Sequence, residues 1–196
     1  ERAGDDGPVV IANADDPLVT WAAQTARKVV WVDTASTWTA DAALCPACGD
    51  LLRRTDPGPD EPTGRWSCPG CELAEPPASY TVRGSSVQLP DGRLVEMNLN
   101  VPGAFNISNA AMALAAAAEL GVDTDAALTG FRTVRSPAGR FATATFGRTT
   151  ARLVLSKNPA GWAESLPLLK TPSFVLAIDS VAADGKDVSW LWDVDF

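Results

Sequence analysis

The four cysteines of the chain form two matching pairs, and they constrain its fold more than any other feature. Cys45-Pro46-Ala47-Cys48 is followed after 19 residues by Cys68-Pro69-Gly70-Cys71. Two thiolates three positions apart on a tight turn both reach one tetrahedral ion at about 2.3 Å, so the spacing predicts a structural Zn²⁺ site. Two disulfides or four free thiols are the alternatives, and paired thiolates without a secretory signal favour metal. A shell of four sulfurs is closed, so this zinc is expected to hold shape and perform no chemistry.

Composition excludes several classes of protein. The chain has 196 residues, 46% of them hydrophobic, which predicts one or two globular domains. No apolar run approaches the roughly 20 residues of a transmembrane segment. A net charge of −8 and an isoelectric point of about 4.5 oppose binding to nucleic acid or to an anionic membrane. Together with reduced cysteines, these features predict a cytoplasmic protein. Histidine is absent from this sequence, so any catalytic histidine must come from elsewhere.

The first 33 residues are typical of a parallel β-α-β unit. Pro8–Ala12 and Lys28–Asp33 are apolar runs that predict strands buried in a parallel sheet. Asp16 before Pro17 predicts a helix N-cap, with the helix extending to about Arg27.

Three polar residues, Asn13, Asp15 and Asp16, follow the first predicted strand. They fit a ligand site at the carboxyl end of a strand, where open α/β sheets bind ligands. They fit equally well a cluster of capping and turn interactions, and the sequence leaves both interpretations open.

The cysteine pairs belong to an insertion at about residues 40–80. Residues 51–64 between the pairs are rich in proline, glycine and charge, which predicts an exposed hairpin arm. Trp66 is expected to pack against the zinc turns, with stacking on a nucleobase as the alternative. After the insertion, two strands at 79–89 and 93–101 are predicted on either side of Pro90-Asp91-Gly92.

Two asparagines mark the start of an alanine-rich helix, predicted over Ala110–Leu120 with Gly121 ending it. Asn106 is a candidate N-cap, and Asn109 lies one turn inside the helix. An amide offers a donor and an acceptor together, as the N6/N7 edge of adenine requires, so adenine binding and capping are both open. A shorter helix is predicted from Thr124 to Phe131.

Residues 136–140 look like a domain boundary, with a second domain from about residue 138. Strands are predicted at 153–156 and 173–179. Between them, Asn158 is a candidate cap for a helix beginning at Pro159, and Lys157 either meets a phosphate or carboxylate or is a solvated loop lysine. Residues 183–196 combine four aspartates with two tryptophans, which fits either a partner interface or a turn beside core aromatics.

Several motifs occur in the order seen in the MurT family of Mur-ligase-like proteins, the synthetase subunits of lipid II isoglutaminyl synthase. The resemblance covers nearly the whole chain and rests on Asn13-Ala-Asp-Asp-Pro17, the two cysteine pairs, Pro102-Gly-x-x-Asn106-x-x-Asn109-Ala, Gly139-Arg140, Ser156-Lys-Asn-Pro-Ala-Gly161 and Asp184-Gly-x-Asp-x-Ser-Trp-x-Trp-Asp193. It implies an α/β fold with a Mur-ligase-like parallel sheet, an inserted four-cysteine zinc ribbon and part of a second α/β domain. Residues 1–137 would be the carboxy-terminal half of the central ATPase domain, and 138–196 the start of the carboxy-terminal domain.

The resemblance also implies an activity. Such enzymes use ATP and Mg²⁺ to activate the α-carboxylate of D-glutamate in the lipid II stem peptide as an acyl phosphate, which ammonia from the glutaminase partner GatD converts to D-isoglutamine. By similarity, Asn106 and Asn109 meet adenine and Arg140 lies near the ribose. Lys157 and Asn158 fall in a loop that faces the nucleotide.

A catalytic contribution is implied for Asp184 and Asp187, which fall in the segment nearest the glutaminase. An aspartate supplied across that interface would orient the partner's catalytic histidine.

Two departures from the family pattern concern ATP turnover. The chain has no GxxxxGK[ST] phosphate loop, and it stops directly after Trp-Leu-Trp-Asp, where family members continue. The expectation is a fragment that does not turn over ATP alone. Two other functions compete with this one. The first is a zinc-ribbon module that binds nucleic acid or protein, and the acidic charge of the chain disfavours nucleic acid. The second is an assembly subunit without catalysis.

Overall fold

The computed structural model describes residues 7–58, 64–135, 141–169, 173–179, 187–194 and 196. The chain divides into two compact units. The first runs to Leu99 and resumes over Ala104–Thr133, and the second comprises Asn100–Gly103 and Val134–Phe196. Within the described ranges, no helix has the length and apolar character needed to cross a membrane.

The first unit is built on a five-stranded sheet with helices. Its elements in chain order are β1 (Val9–Asn13), α1 (Pro17–Ala23), β2 (Lys28–Asp33), a 3₁₀ turn (Ala40–Ala42), β3 (Arg53–Arg54), β4 (Trp66–Ser67), β5 (Tyr80–Arg83), β6 (Ser86–Gln88), β7 (Leu94–Glu96), α2 (Ala104–Glu119) and α3 (Thr124–Phe131). The sheet order is β1-β2-β5-β6-β7, in which β1, β2 and β5 are parallel and β5, β6 and β7 antiparallel. The predicted α/β fold with a parallel sheet is therefore confirmed.

The predicted β-α-β unit is present, with a shorter helix. Strands β1 and β2 pair in parallel, from Val9 opposite Lys28 to Asn13 opposite Val32. Asp16 caps α1 by accepting hydrogen bonds from the backbone N–H groups of Leu18 at 2.8 Å and Val19 at 3.2 Å. The helix ends at Ala23 and not at Arg27, because the chain tightens there into a turn in which Ala26 N–H donates to the Ala23 carbonyl.

The core of the first unit lies between α2 and one face of the sheet. Alanines 110, 111 and 115 of α2 are buried with Leu114 against sheet residues that include Val32 and Val87. Alanine side chains let the helix backbone approach the sheet closely, while burial of each larger aliphatic side chain contributes about 1.5–3 kcal/mol. The alanine-rich sequence thus sets how closely α2 covers the strands.

Helix α2 begins earlier than its sequence predicts. It starts at Ala104, so Asn106 is its third residue and the prediction that Asn106 is the N-cap is wrong. Gly103 has φ of 103°, a conformation that glycine adopts easily, and it turns the chain into the helix at that point. The predicted end is confirmed: Gly121 has φ of 76°, and the Val122 N–H donates to the Ala117 carbonyl as in a Schellman motif.

One predicted strand, at 79–89, proves to be two. A turn at Gly84, with φ of 60°, divides it into the antiparallel strands β5 and β6. The second predicted turn, at Pro90-Asp91-Gly92, joins β6 to β7, and the Gly92 N–H donates to the Leu89 carbonyl at 2.9 Å.

The second unit contains an antiparallel hairpin and short helices. Its elements are β8 (Phe141–Phe146), β9 (Thr149–Val154), α4 (Pro159–Ser165) and 3₁₀ helices at Leu166–Leu168 and Ser189–Asp193. The strand predicted at 153–156 is the end of β9, which stops at Val154. The strand predicted at 173–179 is wrong: these residues form no strand and belong to none of the described sheets, because a strand exists only where a neighbour completes its ladder.

Candidate functional site

The structure brings the four predicted metal ligands together. Their sulfur atoms all lie within 4.8 Å of one another. The Sγ atoms of Cys45 and Cys71 are 3.6 Å apart, and those of Cys48 and Cys68 are 3.4 Å apart. A tetrahedral ion with bonds of about 2.3 Å sets sulfur atoms about 3.8 Å apart, whereas a disulfide requires about 2.05 Å. The cluster therefore fits a tetrahedral metal ion, and all four cysteines are unbridged.

Each cysteine pair sits on a tight turn closed by backbone hydrogen bonds. In the first pair, the Gly49 N–H donates to the Cys45 carbonyl at 2.9 Å, and the Cys45 N–H donates to the Asp50 carbonyl at 2.8 Å. Gly49 has φ of 83°, which a residue with a side chain adopts at a cost. In the second pair, the Cys68 N–H donates to the Leu73 carbonyl at 2.9 Å. These turns aim both sulfurs of each pair at one point.

The thiols shift one another's pKa values in opposite directions: the neighbouring thiols lower the pKa of Cys45 and raise that of Cys48. Burial raises the pKa of Cys45, but the backbone N–H groups of Ala47 and Cys48 outweigh it and lower that pKa to about 7. For Cys48, the backbone N–H of Asp50 lowers the pKa, yet the neighbouring thiols and burial raise it to about 12. Several thiolates this close need a shared cation, and a shell of four sulfurs leaves no open position for a substrate.

We call the four-cysteine cluster, its two turns and strands β3 and β4 the ribbon. The ribbon has a small hydrophobic core of its own. Trp66 has 1% of its surface exposed and packs with Cys45, Cys68 and Leu73, with Leu52 at the edge of the same core. The expected packing of Trp66 against the metal turns is confirmed.

Trp66 also reaches the main sheet. Its indole Nε1–H donates to the backbone carbonyl of Ala14, 52 residues earlier, at 3.0 Å in a buried setting. Ala14 lies directly after β1, so one side chain joins the ribbon core to the end of the first strand.

Polar groups meet at the carboxyl ends of β1 and β2. The side-chain oxygen Oδ2 of Asp15 accepts from the Thr34 N–H at 3.0 Å, from the Thr34 hydroxyl at 2.7 Å and from the Ser36 N–H at 3.0 Å. Asn13 Oδ1 accepts from the Asp15 N–H at 2.9 Å. We call Asn13–Asp16 and Thr34–Ser36 the strand-end loops. The capping interpretation is correct for much of this cluster, and its position is the one at which open α/β sheets bind ligands.

Asp15 is the unusual carboxylate of the cluster. It is 8% exposed, and burial raises its pKa from 3.8 to about 6, although hydrogen bonds from Ser36 and Thr34 lower it and nearby Asp33 raises it further. Desolvation disfavours the charged form more strongly than these donors favour it. The loop therefore holds a carboxyl group that changes charge near neutral pH.

The first half of α2 adjoins the strand-end loops. The Ser108 hydroxyl donates to the Thr34 carbonyl at 2.9 Å, and Asn106 and Asn109 lie on either side of Ser108 in sequence. Residues three apart lie on the same side of a helix, so both amides follow one edge of α2. Asn106 is half-buried and Asn109 is exposed. Both predicted adenine residues thus sit on a helix that touches the strand ends.

The remaining predicted residues belong to the second unit. Asn158 caps α4, because its Oδ1 accepts from the Gly161 N–H at 2.7 Å, and Lys157 beside it is exposed. Asp187 is exposed, and its Oδ1 accepts from the Ser189 N–H at 2.8 Å, an interaction that lowers the pKa of its carboxyl group. Arg140 and Asp184 lie outside the described residues.

An open cavity of about 220 Å³ in the first unit is lined by residues that include Asp33, Arg65, Glu75 and Arg83. Its two acidic and two basic side chains favour no single ligand class. None of the predicted nucleotide residues lines it.

Comparison with known proteins identifies the relatives of this chain. Residues 155–196 match the family model described as MurT ligase C-terminal. The chain is a relative of MurT. Its similarity to the lipid II isoglutaminyl synthase (glutamine-hydrolyzing) subunit MurT of Streptococcus pneumoniae is 30% identity over 169 residues, which is 81% of the chain and 37% of that protein.

A second MurT subunit, from Staphylococcus aureus strain COL, is 28% identical over an alignment that covers all of this chain and 48% of that protein. The chain thus spans less than half the length of either MurT relative. A solved pseudomurein peptide ligase type C from Methanothermus fervidus superposes with a TM-score of 0.63 at 23% identity, covering 83% of this chain and 34% of that one. That likeness shows the fold alone: over the superposed residues the chain shares the fold of that peptide ligase.

Sequence reasoning missed Thr34, Ser36 and Ser108 in the strand-end cluster. Serine and threonine are common in loops, so only their proximity in the fold distinguishes them. The position of Thr34 directly after the strand predicted at Lys28–Asp33 was the one available signal.

Proposed function

We propose that this chain is part of the synthetase subunit of a lipid II isoglutaminyl synthase. The observation that carries the proposal is the 30% identity to the MurT subunit of Streptococcus pneumoniae over 169 residues. The substrate is the α-carboxylate of D-glutamate in the peptidoglycan stem peptide, and the work is done in the cytoplasm. The partner is a GatD-like glutaminase that supplies ammonia.

The proposed reaction has two balanced steps. A carboxylate oxygen attacks the γ-phosphorus of Mg²⁺-ATP, which forms an acyl phosphate and releases ADP. Ammonia then attacks the carbonyl carbon, the C–O bond to phosphate breaks, and D-isoglutamine and inorganic phosphate result. Such chemistry depends mainly on positioning and on neutralising phosphate charge.

In this proposal, the residues of the first unit hold the nucleotide. The side-chain amides of Asn106 and Asn109 bind the adenine edge, beside the strand-end loops that Ser108 contacts. The phosphate loop, a motif absent from these 196 residues, is contributed by other residues of the protein. Residues 1–137 form the carboxy-terminal half of the ATPase domain, and 138–196 begin the carboxy-terminal domain.

The second unit supplies the remaining contacts of the proposal. By similarity to the family, Arg140 is proposed to contact the ribose, and Lys157 and Asn158 are proposed to contact the nucleotide. Asp184 and Asp187 act toward the glutaminase by orienting its catalytic histidine. Support for a nearby interface comes from Trp192, which is 91% exposed, since tryptophan is among the residues that anchor protein interfaces.

The metal of the ribbon is proposed to be Zn²⁺ with a structural role. Four cysteine sulfurs within 4.8 Å of one another are a donor set that zinc prefers, and a shell of four sulfurs leaves no open position for a reacting group.

Reconstitution tests the function. The protein that contains this chain is combined with its glutaminase subunit, lipid II, Mg²⁺-ATP and glutamine, and the amide product is identified by mass spectrometry. We expect glutamine-dependent amidation, and amidation with ammonium chloride in place of the glutaminase. A complex that assembles yet neither hydrolyses ATP nor amidates lipid II would instead establish the assembly role.

The aspartates are tested in the same complex. Asp187→Asn is expected to reduce glutamine hydrolysis at least tenfold while leaving ammonium-dependent amidation intact, because the change affects only the partner's site. Asp193→Asn, which removes a carboxylate from the end of the 3₁₀ helix that follows Asp187, is the matched control. Wild-type glutamine hydrolysis by assembled Asp187→Asn and Asp184→Asn complexes would rule out this role.

A further inference from the structure

The ribbon and the strand-end loops are far apart in sequence, yet they share one buried contact. Trp66 belongs to the same small core as Cys45, Cys68 and Leu73, so its position depends on the metal turns. Its indole N–H donates at 3.0 Å to the carbonyl of Ala14, which is fully buried. A buried carbonyl that loses its donor is costly, so this contact constrains both partners.

Ala14 lies between the residues that organise the strand-end loops. Its own N–H donates to the Val32 carbonyl at 2.9 Å, which continues the β1–β2 ladder by one residue. The next residue, Asp15, receives the backbone N–H groups of Thr34 and Ser36. A shift of the Ala14 peptide would therefore move the carboxylate on which both loop amides depend.

We propose that Trp66 is a positioning residue through which the loaded metal ribbon fixes the strand-end loops for ligand binding. The ribbon is then more than a stable insertion, because removing its metal frees Trp66 and with it the Ala14 carbonyl. The assignment of the ligand as ATP rests on the proposed function. The mechanical coupling does not, since it depends only on contacts within the first unit.

Hydrogen exchange of the Thr34 and Ser36 amides measures the coupling without any nucleotide. In the full chain, Trp66→Phe keeps an aromatic ring in the ribbon core and deletes the donor. Trp38→Phe is the matched control, because Trp38 Nε1–H donates at 2.6 Å to Asp41 in an exposed local contact. We expect Trp66→Phe to bind metal and to speed exchange of both loop amides by about 5- to 150-fold, the equivalent of one lost buried hydrogen bond. Exchange at the wild-type rate in metal-bound Trp66→Phe would overturn the proposal.

Metal removal provides a second measurement if Trp66→Phe does not load. The wild-type chain is stripped with a chelator and reloaded with Zn²⁺ alone. Exchange of the Thr34 and Ser36 amides is then compared with that of Val87, which lies in β6 and outside the strand-end loops. We expect the loop amides to lose protection selectively and to regain it with zinc. Loop protection that is the same with and without metal would contradict the coupling.

Nucleotide binding by the protein that contains this chain separates the two proposals. Positioning predicts that Trp66→Phe raises the KM for ATP with a smaller effect on kcat, while Trp38→Phe changes neither. Faster exchange of the Thr34 and Ser36 amides in Trp66→Phe with an unchanged KM for ATP would show that the strand-end loops do not position the nucleotide. A wild-type protein that binds no ATP would refute the proposed function and leave the exchange results to decide the coupling.

Discussion

Replacing the buried carboxyl group of Asp15 by an amide should change how stability depends on pH. In the folded chain its pKa is raised to about 6 from an ordinary value of 3.8, with burial as the main cause. The unfolded chain therefore releases this proton near pH 4, whereas the folded chain retains it until near pH 6. Folding is favoured by the protonated form below pH 4, and this contribution is lost as the pH rises through 6.

The magnitude follows from the displaced pKa. Each pKa unit corresponds to about 1.4 kcal/mol, so the full displacement corresponds to about 3 kcal/mol. Asp15→Asn keeps an oxygen for the donors from Thr34 and Ser36 and carries no charge at any pH. Relative to Asp15→Asn, the free energy of unfolding of the wild-type chain should fall by about 2 kcal/mol between pH 4 and pH 7, because part of the contribution is already lost at pH 4.

Urea denaturation at a series of pH values measures this difference, provided that zinc content is checked at each pH. Asp16→Asn is the control, because it removes the same charge one residue away and asparagine is as good an N-cap as aspartate. Parallel pH profiles for the wild-type and Asp15→Asn chains would refute the reasoning, since they would mean that Asp15 titrates alike in the folded and unfolded states.

Three further predictions concern the metal and the nucleotide. Cys68→Ser should abolish binding of one zinc per chain and loosen the ribbon, while the five-stranded sheet stays folded. Metal analysis and circular dichroism test this. Retained zinc, or a mass that shows disulfides, would contradict it. Asn109→Ala should weaken nucleotide binding by about 5- to 150-fold without loss of stability, because alanine is the better helix former at an exposed position, and unchanged affinity would remove Asn109 from the site. Asn158→Ala should destabilise its unit by about 1 kcal/mol through loss of the α4 cap, whereas Asn158→Asp should not; equal stabilities in thermal melts would show that the cap is unimportant.

The elements that sequence predicted well are those fixed by local chemistry. The apolar strands before Asn13 and Asp33, the Asp16 cap and the Gly121 helix end each depend on a few neighbouring residues. The cysteine pairs belong to the same group, since the spacing of each pair already defines its turn. Features that depend only on neighbouring residues can be predicted from the sequence without knowing the tertiary contacts.

The errors arose where a distant partner or a single glycine decided the outcome. Gly84 and Gly103 each redirected the chain, and neither lies in a pattern that specifies which way. Residues 173–179 are apolar enough for a strand, but a strand also needs a pairing strand beside it, and the local sequence does not show whether one is present. The hydrogen bond from Trp66 to Ala14 spans 52 residues and involves a backbone carbonyl, so no side-chain motif could have predicted it.

The ribbon occupies the connection between two adjacent parallel strands, β2 and β5. Such a connection must return from the carboxyl end of one strand to the amino end of the next, a path that a helix usually takes. Until the ribbon forms, β5 can pair with β2 only if a long flexible loop is closed. A metal-bound ribbon leaves roughly a third of that length to be closed, which lowers the entropic cost of closure by about 1 kcal/mol. Zinc availability during synthesis would thus influence the rate at which the sheet is completed, in addition to the stability of the finished protein.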